Sequence, residues 1–325
     1  MDLPQDYGFR APTPDDLDAV AGLLVADDLH DGRESVLGAE FLRDEWSRPG
    51  FELATDAWVV VHRGGAVVGY GQATSEEPSV VGSWGVVHPA HRGRGIGSWL
   101  LDRIEERASE LLAGLASPRF RHAINAGDRA AAAMLQARGL QPVRHFWHMQ
   151  IDLAAGFEPG PPPKGIEIGG IDPGVHLPAV HAVIGEAFAD QWGHRPEPFD
   201  RWAAQQTGSP SYDPTLWLLA TEAGAPVGAL TASVAGDHGW VDLLGVLAPA
   251  RGRGIARALL LRSFASFARR GLRRVLLNVD AENPTGATRL YERVGMRVVN
   301  RWDVWERPLG DQARGRCSPT PLKKV

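Results

Sequence analysis

The 325-residue sequence contains a single cysteine and no long apolar run. Cys317 alone cannot form a disulfide within the chain or a metal site built from several cysteines, so a reducing compartment fits. No stretch approaches the roughly 18 apolar residues that a transmembrane helix needs. The first residues lack a basic segment followed by an apolar one, so we expect no signal peptide. These absences favour a cytoplasmic protein without a membrane partner.

The charge balance of the chain is slightly acidic. There are 34 Lys and Arg residues against 39 Asp and Glu residues, which gives a formal net charge of −5. A protein that binds nucleic acid needs a basic surface to neutralise phosphates, so we expect no nucleic-acid partner. The 44% of hydrophobic and 22% of charged residues are ordinary for a globular protein, and the length favours two domains.

One short motif rich in glycine and arginine occurs twice. The first copy reads Arg92-Gly93-Arg94-Gly95-Ile96-Gly97, and the second reads Arg251-Gly252-Arg253-Gly254-Ile255-Ala256. Each copy follows an apolar, strand-like run and opens an amphipathic helical pattern. Because glycine permits sharp turns and helix N-termini offer free N–H groups, each motif predicts a pyrophosphate site. The alternative is a tight strand-to-helix turn with solvent-exposed arginines.

Other phosphate and metal motifs do not fit these residues. The glycine spacing differs from Gly-x-Gly-x-x-Gly, and no Gly-Lys-Ser/Thr follows, which excludes the usual dinucleotide and P-loop patterns. His88 and His91 flank the first motif, but no further ligands at metal spacing accompany them. We therefore read them as loop histidines and predict no metal.

The repeat extends beyond the two motifs. Each half has a strand at 58–61 or 217–220, followed by a glycine turn and a second apolar run, which predicts hairpins. A long helix follows each motif, because apolar residues recur at a spacing of three to four. A strand, a short helix and a final strand pair complete each half. This order predicts an α/β fold of two tandem domains, each a mixed, mainly antiparallel sheet flanked by helices, and a gene duplication accounts for it.

The predicted domain boundaries follow the repeat. The first domain covers residues 1–155 and the second covers residues 166–308. Proline and glycine dominate residues 156–165, which we interpret as a semi-rigid linker. The polar stretch 309–325 is expected to be a disordered tail.

The motifs and their surroundings resemble the cofactor signature of the GNAT superfamily of acyl-CoA N-acyltransferases. The signature is matched by residues 86–97 and 246–256. The second half also has the asparagine after strand five and the tyrosine in the next helix, at Asn283 and Tyr291. The resemblance extends over nearly all of residues 7–153 and 166–307.

The resemblance implies an acetyl-CoA-dependent N-acetyltransferase. Acetyl-CoA is the co-substrate, and both motifs hold a pyrophosphate through their backbone. Val246 supplies backbone contacts to the acetyl-pantetheine arm. Asn283 either hydrogen-bonds the pantetheine or caps the helix that follows it.

The resemblance also implies two proton-transfer residues in the second half. Tyr291 protonates the departing thiolate, unless it is simply a core tyrosine. Asp242 takes the proton from the attacking ammonium, unless it is a solvated or salt-bridged aspartate. Period-two alternation puts Asp242 on the strand face of Leu244 and Val246. The family often has a glutamate two residues earlier, where this chain has Trp240.

The first half lacks both proton-transfer residues, so catalysis is predicted in the second half. Leu135 stands at the position that matches Tyr291, and the strand at 80–87 has no acidic residue. The first half would then bind acyl-CoA structurally or work slowly by positioning alone.

The acceptor is expected to be the primary amine of a small molecule. In the family, the helical region before strand two walls the acceptor pocket, and here it carries acidic and aromatic side chains: Glu186, Asp190, Trp192 and Trp202. Such residues suit a cationic, partly apolar amine, or they are the faces of amphipathic helices. Two other functions stay open, a mycothiol-synthase-like acetyltransferase with the same tandem layout and a CoA-binding module without turnover. The sequence specifies neither the acceptor nor the oligomeric state.

Overall fold

The computed structural model describes residues 2–154, 156–283 and 285–309. Strands and helices follow one another in the order that the repeat predicts. The first half contains β1 (Tyr7–Arg10), α1 (Leu17–His30), α2 (Ala39–Trp46), α3 (Leu53–Asp56), β2 (Ala57–His62), β3 (Val67–Glu77), β4 (Val80–Val87), α4 (Ile96–Leu111), β5 (Arg119–Asn125), α5 (Arg129–Ala137) and β6 (Gln141–Asp152).

The second half repeats this order. It contains β7 (Ile166–Gly170), α6 (Pro173–Ala187), α7 (Phe199–Gly208), β8 (Leu218–Glu222), β9 (Ala225–Ala235), β10 (His238–Val246), α8 (Ile255–Arg269), β11 (Arg274–Asp280), α9 (Ala287–Arg293) and β12 (Arg297–Pro308). Each half ends in one long strand, β6 or β12, so the expected final strand pair is wrong. No glycine turn interrupts residues 141–152 or 297–308, so each segment forms one strand.

Two compact units contain these elements. The first takes residues 2–16, 50–143 and 303–309, and the second takes residues 17–49 and 144–302. Each unit therefore includes chain from the other half of the sequence: the end of β12 in the first unit, and α1, α2 and most of β6 in the second. In the predicted tail, the Leu309 N–H donates to the carbonyl of Pro118, and residues 310–325 lie outside the described residues.

The first unit is built on an antiparallel meander. Strands β1 to β4 pair in sequence order, β5 pairs with β4 in parallel, and β12 lies beside β5. Helix α4 packs on β3 and β4. Its stripe of Ile96, Leu100, Ile104 and Ala108 is buried, as the 3–4 spacing predicts.

The second unit repeats the arrangement with one more strand. Strands β7 to β10 form the antiparallel meander, β11 pairs with β10 in parallel, β6 pairs with β11 in antiparallel fashion, and β12 lies beside β6. Helix α6 packs on β9 and β10, as does α8. The predicted mainly antiparallel sheet with flanking helices is thus confirmed. No helix among residues 2–154, 156–283 and 285–309 is long and apolar enough to cross a membrane.

A substitution at Glu306 tests the place of β12 in the first unit. The buried Glu306 carboxylate accepts hydrogen bonds from Arg121 Nε at 2.8 Å and Arg119 Nη1 at 2.6 Å. Glu306→Ala leaves the buried Arg121 guanidinium with less compensation, so we expect the free energy of unfolding to fall by about 3 kcal/mol. Thermal unfolding of the intact chain measures the loss. The control Glu110→Ala removes an exposed partner of Arg107 and should lower the free energy of unfolding by less than about 1 kcal/mol. If Glu306→Ala lowers it by no more than Glu110→Ala, the placement of β12 in the first unit is contradicted.

Candidate active site

The second glycine-rich motif forms a bent approach to helix α8. Gly252 and Gly254 have φ values of +77° and +82°, and Gly254 is the N-cap of the helix that begins at Ile255. A Cβ on Gly254 would meet only Pro163 Cγ, at an ordinary contact distance of 3.8 Å, so the backbone conformation and not a lack of space requires glycine. The first N–H groups of a helix have no partner within it. They are available to an anion at this bend, where the motif predicts a pyrophosphate site.

The first motif has the same geometry in the first unit. Gly93 and Gly95 have φ values of +74° and +84°, and Gly95 caps the helix that begins at Ile96. Gly97 is the second residue of that helix. The Arg94 guanidinium donates to the Tyr7 hydroxyl at 3.0 Å and to the Ala90 carbonyl at 3.3 Å. We call each glycine-rich loop, together with the helix N-terminus that follows it, a cradle. The two cradles therefore have the same backbone shape.

The arginines of the second motif fix the shape of its loop. Arg251 donates from Nε to the Val246 carbonyl at 3.0 Å and from Nη2 to the Ala187 carbonyl at 3.2 Å. Arg253 makes a bidentate ion pair with Glu222. Since the arginine side chains are engaged in this way, the main-chain N–H groups at 254–256 are the donors left to an anion at this loop.

A β-bulge separates β10 from its parallel neighbour in the second unit. On β10, Val241 lies opposite Ala232 of β9 and Leu243 lies opposite Thr231, so Asp242 is an extra residue without a partner. Among the described pairs, β10 joins β11 only from Gly239 to Val241. Beyond the bulge, β10 therefore pairs with β9 alone, and a gap opens beside it.

The backbone of Val246 points into this gap. The Leu247 N–H donates to the Val227 carbonyl at 3.0 Å, so the adjacent pair of Val246 and Gly228 is a non-hydrogen-bonded pair. The N–H and C=O of such a residue point away from the partner strand. The Val246 N–H is thus directed to the side that β11 leaves open, where a thioester or its oxyanion could accept a hydrogen bond.

The same bulge changes the face to which Asp242 belongs. A Cβ on Gly239 would meet Phe267 of α8, whereas one on Gly245 would meet Ala187 of α6. Six residues separate the two glycines, so a regular strand would put them on one face. The alternation is broken at the bulge, and Asp242 does not share a face with Leu244 and Val246, contrary to the sequence expectation.

Asp242 is a carboxyl group in an unusual environment. Its Oδ1 accepts a hydrogen bond from the Ser233 hydroxyl at 3.1 Å. Crowding by protein atoms raises its pKa to about 7, and the negative charge of Asp44 on α2 contributes to the rise. The residue nevertheless keeps solvent-exposed surface. A crowded but accessible carboxyl group of this kind is suited to accept a proton near neutral pH.

Tyr291 lies on α9 and is buried against the core of the second unit. Burial raises its pKa to about 12, so the phenol keeps its proton at neutral pH. Within the part of the chain that the structure describes, the hydroxyl makes no hydrogen bond. In the first unit, Leu135 at the matching position is fully buried.

Asn283 forms a local turn before α9. Its Oδ1 accepts hydrogen bonds from the N–H of Thr285 at 2.9 Å and from the Thr285 hydroxyl at 2.5 Å. Gly286, with a φ value of +74°, is the N-cap of α9. The helix thus begins at Ala287, so Asn283 is not its N-cap, and the capping alternative for Asn283 is wrong.

The predicted acceptor wall is only partly assembled. Trp202 is buried in the core beside His181 and Trp217, whereas Glu186 and Asp190 are exposed. Trp192 is half-buried and lies 6.2 Å from Phe146, ring centroid to centroid. Among the described residues no group of three or more metal-ligating side chains lies together.

A different aromatic surface, which the sequence analysis missed, lies beside Asp242. We call Phe146, Trp192, Trp240 and Trp302 the aromatic wall; all four are half-buried. Phe146 stacks on Trp302 at 4.4 Å, and Trp240 meets the ring of His148 at 5.5 Å. Burial lowers the pKa of His148 to about 4. The alternation of Phe146 and His148 along β6 was a usable signal, but only the pairing of β6 with β11 brings them to this site.

Comparisons with known proteins agree with an acyl-CoA transferase fold. The model of the acetyltransferase (GNAT) family matches residues 177–296, and that of the acetyltransferase (GNAT) domain matches residues 54–138. The mycothiol acetyltransferase of Thermobispora bispora is 31% identical over 90% of this chain and 95% of its own length. That of Streptomyces coelicolor is 31% identical over 91% of this chain and 92% of its own length.

Solved structures give the same result. A GCN5-related N-acetyltransferase from Sphaerobacter thermophilus is 36% identical, with a TM-score of 0.81 over 94% of this chain and 97% of its own. A tandem GNAT protein from the clavulanic acid biosynthesis pathway shares the fold, with a TM-score of 0.68 at 18% identity, over 94% of this chain and 99% of its own. The chain belongs to the GNAT acetyltransferase family. It has two GNAT domains in tandem and is an acetyl-CoA-dependent acetyltransferase.

Substitution of Gly254 tests the second cradle. Gly254→Ala places a Cβ at a φ of +82°, which costs about 1–2 kcal/mol or distorts the bend. We expect the Kd for acetyl-CoA, measured by calorimetry, to rise at least about tenfold. Gly271→Ala is a matched control, because Gly271 has the same φ value at the other end of α8. If both variants lose stability equally and neither loses affinity, the cradle is not the cofactor site.

Proposed function

We propose that this acetyltransferase transfers the acetyl group of acetyl-CoA to the primary amine of a small molecule, with the chemistry in the second unit. The observation that carries the proposal is the bulge at Asp242, which opens β10 from β11 and leaves a carboxyl group of pKa about 7 beside the gap. The loop of the second motif and Tyr291 belong to the same unit.

The first unit lacks the features that assign the chemistry to the second unit. Strand β4 has no bulge from Val81 to Val87, and it stays paired with β5 as far as Trp84 and Ala123. The buried Ser83 hydroxyl joins the two strands, because it donates to the Arg121 carbonyl at 2.7 Å and lies 2.7 Å from His122 Nδ1. The first unit thus keeps the cradle without the wide gap and without either proton-transfer residue.

The proposed reaction is a direct attack of the amine on the thioester. Asp242 takes a proton from the ammonium, and the freed lone pair forms the C–N bond at the carbonyl carbon. The Val246 N–H stabilises the oxyanion. As the C–S bond breaks, the Tyr291 hydroxyl donates a hydrogen bond to the departing sulfur, and the attacking nitrogen gives its second proton to that sulfur, so that the products are a neutral amide, the CoA thiol and a protonated Asp242. A phenol of pKa about 12 is a weak acid toward a thiolate whose conjugate thiol has a pKa of about 8.5, so it acts mainly as a hydrogen-bond donor.

The pKa of Asp242 favours an acceptor that reacts through an α-amine. An α-ammonium has a pKa of about 8, close to that of a carboxyl group of pKa about 7, so its proton passes to Asp242 at little cost. A lysine-type ammonium of pKa about 10.4 holds its proton more tightly and gives it up less readily. Among acceptors with an α-amine, the relatives named mycothiol acetyltransferase suggest a cysteinyl amino sugar.

An amine panel tests the function of the wild-type protein. The panel pairs N-cysteinyl-glucosamine, which has an α-amine, with glucosamine and with spermidine as a lysine-type amine. Mass spectrometry reports the acetylated product, since the thiol of the first acceptor would interfere with thiol reagents. We expect kcat/KM to be highest for the cysteinyl compound. Binding of acetyl-CoA without acetylation of any of the three would contradict the proposed function for these amine classes.

Replacement of Asp242 tests the general base. A base works when it is deprotonated, so the wild-type kcat at saturating acceptor should fall about tenfold per pH unit below about 7. Asp242→Asn should lower kcat at pH 8 by about 100-fold and remove this pH dependence. The neighbouring Ser233→Ala removes only the hydrogen bond that favours the ionised carboxylate. Ser233→Ala should therefore shift the fall in kcat to higher pH. If Asp242→Asn shows the same fall in kcat at low pH as the wild type, another residue is the general base.

Tyr291→Phe tests the proton donor without a large change in stability. The Tyr291 hydroxyl has no partner among the described residues, so its removal leaves no buried group unsatisfied. We expect kcat to fall about 10- to 100-fold with little change in Tm. Tyr212→Phe removes another partnerless buried hydroxyl in the same unit and should leave kcat unchanged. Equal kcat values in Tyr291→Phe and Tyr212→Phe would mean that Tyr291 serves only as a residue of the core.

A further inference from the structure

The two cradles differ in the residue that stands at the end of the neighbouring strand. In the second unit, Arg253 donates two hydrogen bonds to the carboxylate of Glu222, at 2.6 and 2.9 Å. Glu222 is the last residue of β8 and lies opposite Ile166 of β7. In the first unit, the last residue of β2 is His62, which lies opposite Tyr7 of β1. An imidazole therefore replaces the carboxylate that neutralises the arginine of the second cradle.

His62 is one of three histidines beside the first cradle. We call His62, His88 and His91 the histidine cluster; all three side chains are half-buried. The ring centroid of His91 lies 5.5 Å from that of His62 and 5.7 Å from that of His88. In residues 2–154, 156–283 and 285–309, neither Arg94 nor a member of the cluster forms an ion pair. The positive charge of the first cradle is thus uncompensated, and it increases with each histidine that is protonated.

The hydrogen bonds of the cluster single out His91 as the residue that can take up a proton. The Nδ1 atoms of His62 and His88 each accept a hydrogen bond from the backbone N–H two residues later, at 3.3 and 3.2 Å. A proton on either atom would break a bond whose donor cannot become an acceptor. His91 Nδ1 instead lies 2.9 Å from the Tyr7 hydroxyl, which can donate or accept.

The Tyr7 hydroxyl connects His91 to the first cradle. Its oxygen accepts a hydrogen bond from Arg94 Nη1 at 3.0 Å, so its own proton is directed to His91 when that imidazole is neutral. When His91 is protonated, Nδ1 donates to the same oxygen, and the hydroxyl proton becomes available to another acceptor. Protonation of His91 thus adds a positive charge and a hydrogen-bond donor beside Arg94.

In the free protein, the surroundings of His91 disfavour the protonated form. Partial burial lowers its pKa, and the positive charges of Arg94 and of the other two histidines lower it further. The flanking residues Asp6 and Arg63 pair with each other at 3.1 Å, so the Asp6 carboxylate already has a partner. An anion in the cradle would supply the missing negative charge. By linkage, a ligand that favours protonation binds more tightly as the pH falls.

We propose that the first cradle binds the phosphates of acetyl-CoA together with a proton that His91 takes up, which makes the first unit a pH-dependent site for the co-substrate. At the second cradle, Glu222 and Ala250 stand where the first has His62 and His91, so binding there requires no such proton. The first site therefore fills at a lower acetyl-CoA concentration when the pH falls. The inference goes beyond the proposed function, which places the chemistry in the second unit and does not depend on this site.

Calorimetry of the intact protein with acetyl-CoA, without an acceptor amine, tests the proposal. Titrations in buffers of different ionisation enthalpy report the number of protons taken up on binding. Gly254→Ala weakens the second cradle, so the tighter site that remains is the first. At that site we expect uptake of about half a proton or more at pH 7 and a Kd about three- to tenfold lower at pH 6 than at pH 8.

Replacement of His91 in the Gly254→Ala background isolates its contribution. The added substitution His91→Gln should abolish most of the proton uptake, whereas the control His30→Gln, at an exposed histidine that ends α1, should leave it unchanged. Titration of the phosphates of the ligand is common to all these proteins. The substitution His62→Glu gives Arg94 the carboxylate partner that the second cradle has, so it should raise the Kd at pH 6 about fivefold and reduce the proton uptake.

Three results would overturn the proposal. The first is equal proton uptake with and without His91→Gln. The second is the absence of acetyl-CoA binding by Gly254→Ala at pH 6. The third is undiminished proton uptake in Gly95→Ala, which disrupts the first cradle and would place the protonated group elsewhere. Acetylation of the amine panel by the wild-type protein is measured separately, so failure of the proposed function and failure of this inference are distinguishable.

Discussion

The site depends on one extra residue in one strand. Asp242 has no partner on β9, and the bulge that it makes ends the pairing of β10 with β11 after Val241. A gap in a sheet leaves backbone groups without a strand partner, and here it leaves the Val246 N–H directed to the open side, whereas the Val246 carbonyl accepts a hydrogen bond from Arg251. A bulge also twists and bends a strand, so the same residue opens the site and, in the proposed mechanism, supplies its base.

The two units share the geometry of the glycine-rich loop but differ at the positions proposed for the chemistry. Both loops have the left-handed glycines and the helix N-terminus that suit an anion. In the first unit, β4 remains joined to β5 as far as Trp84, and Leu135 fills the position of the tyrosine. The difference lies in strand pairing and in two side chains, while the fold is preserved.

The features set by local sequence were the predictable ones. The glycine loops, the long helices that follow them with the buried stripe of α4, and the strand after each long helix follow from residue types and spacing, and the structure has them. The bulge could not be predicted, because it depends on the register against β9. The effect of Asp44 on the pKa of Asp242 was missed for a similar reason, since nothing in residues 17–49 indicates that they belong to the second unit. Asn283 does not cap α9, because it bonds to Thr285 and forms a turn of its own.

Hydrogen–deuterium exchange of the intact protein with and without acetyl-CoA tests most directly whether the opened edge of β10 and the N-terminus of α8 form the cofactor site. The account predicts slower exchange at the amides of residues 243–246 and 254–257 when acetyl-CoA is present, because those N–H groups acquire partners or lose contact with water. Unchanged exchange over both segments at saturating acetyl-CoA would contradict it.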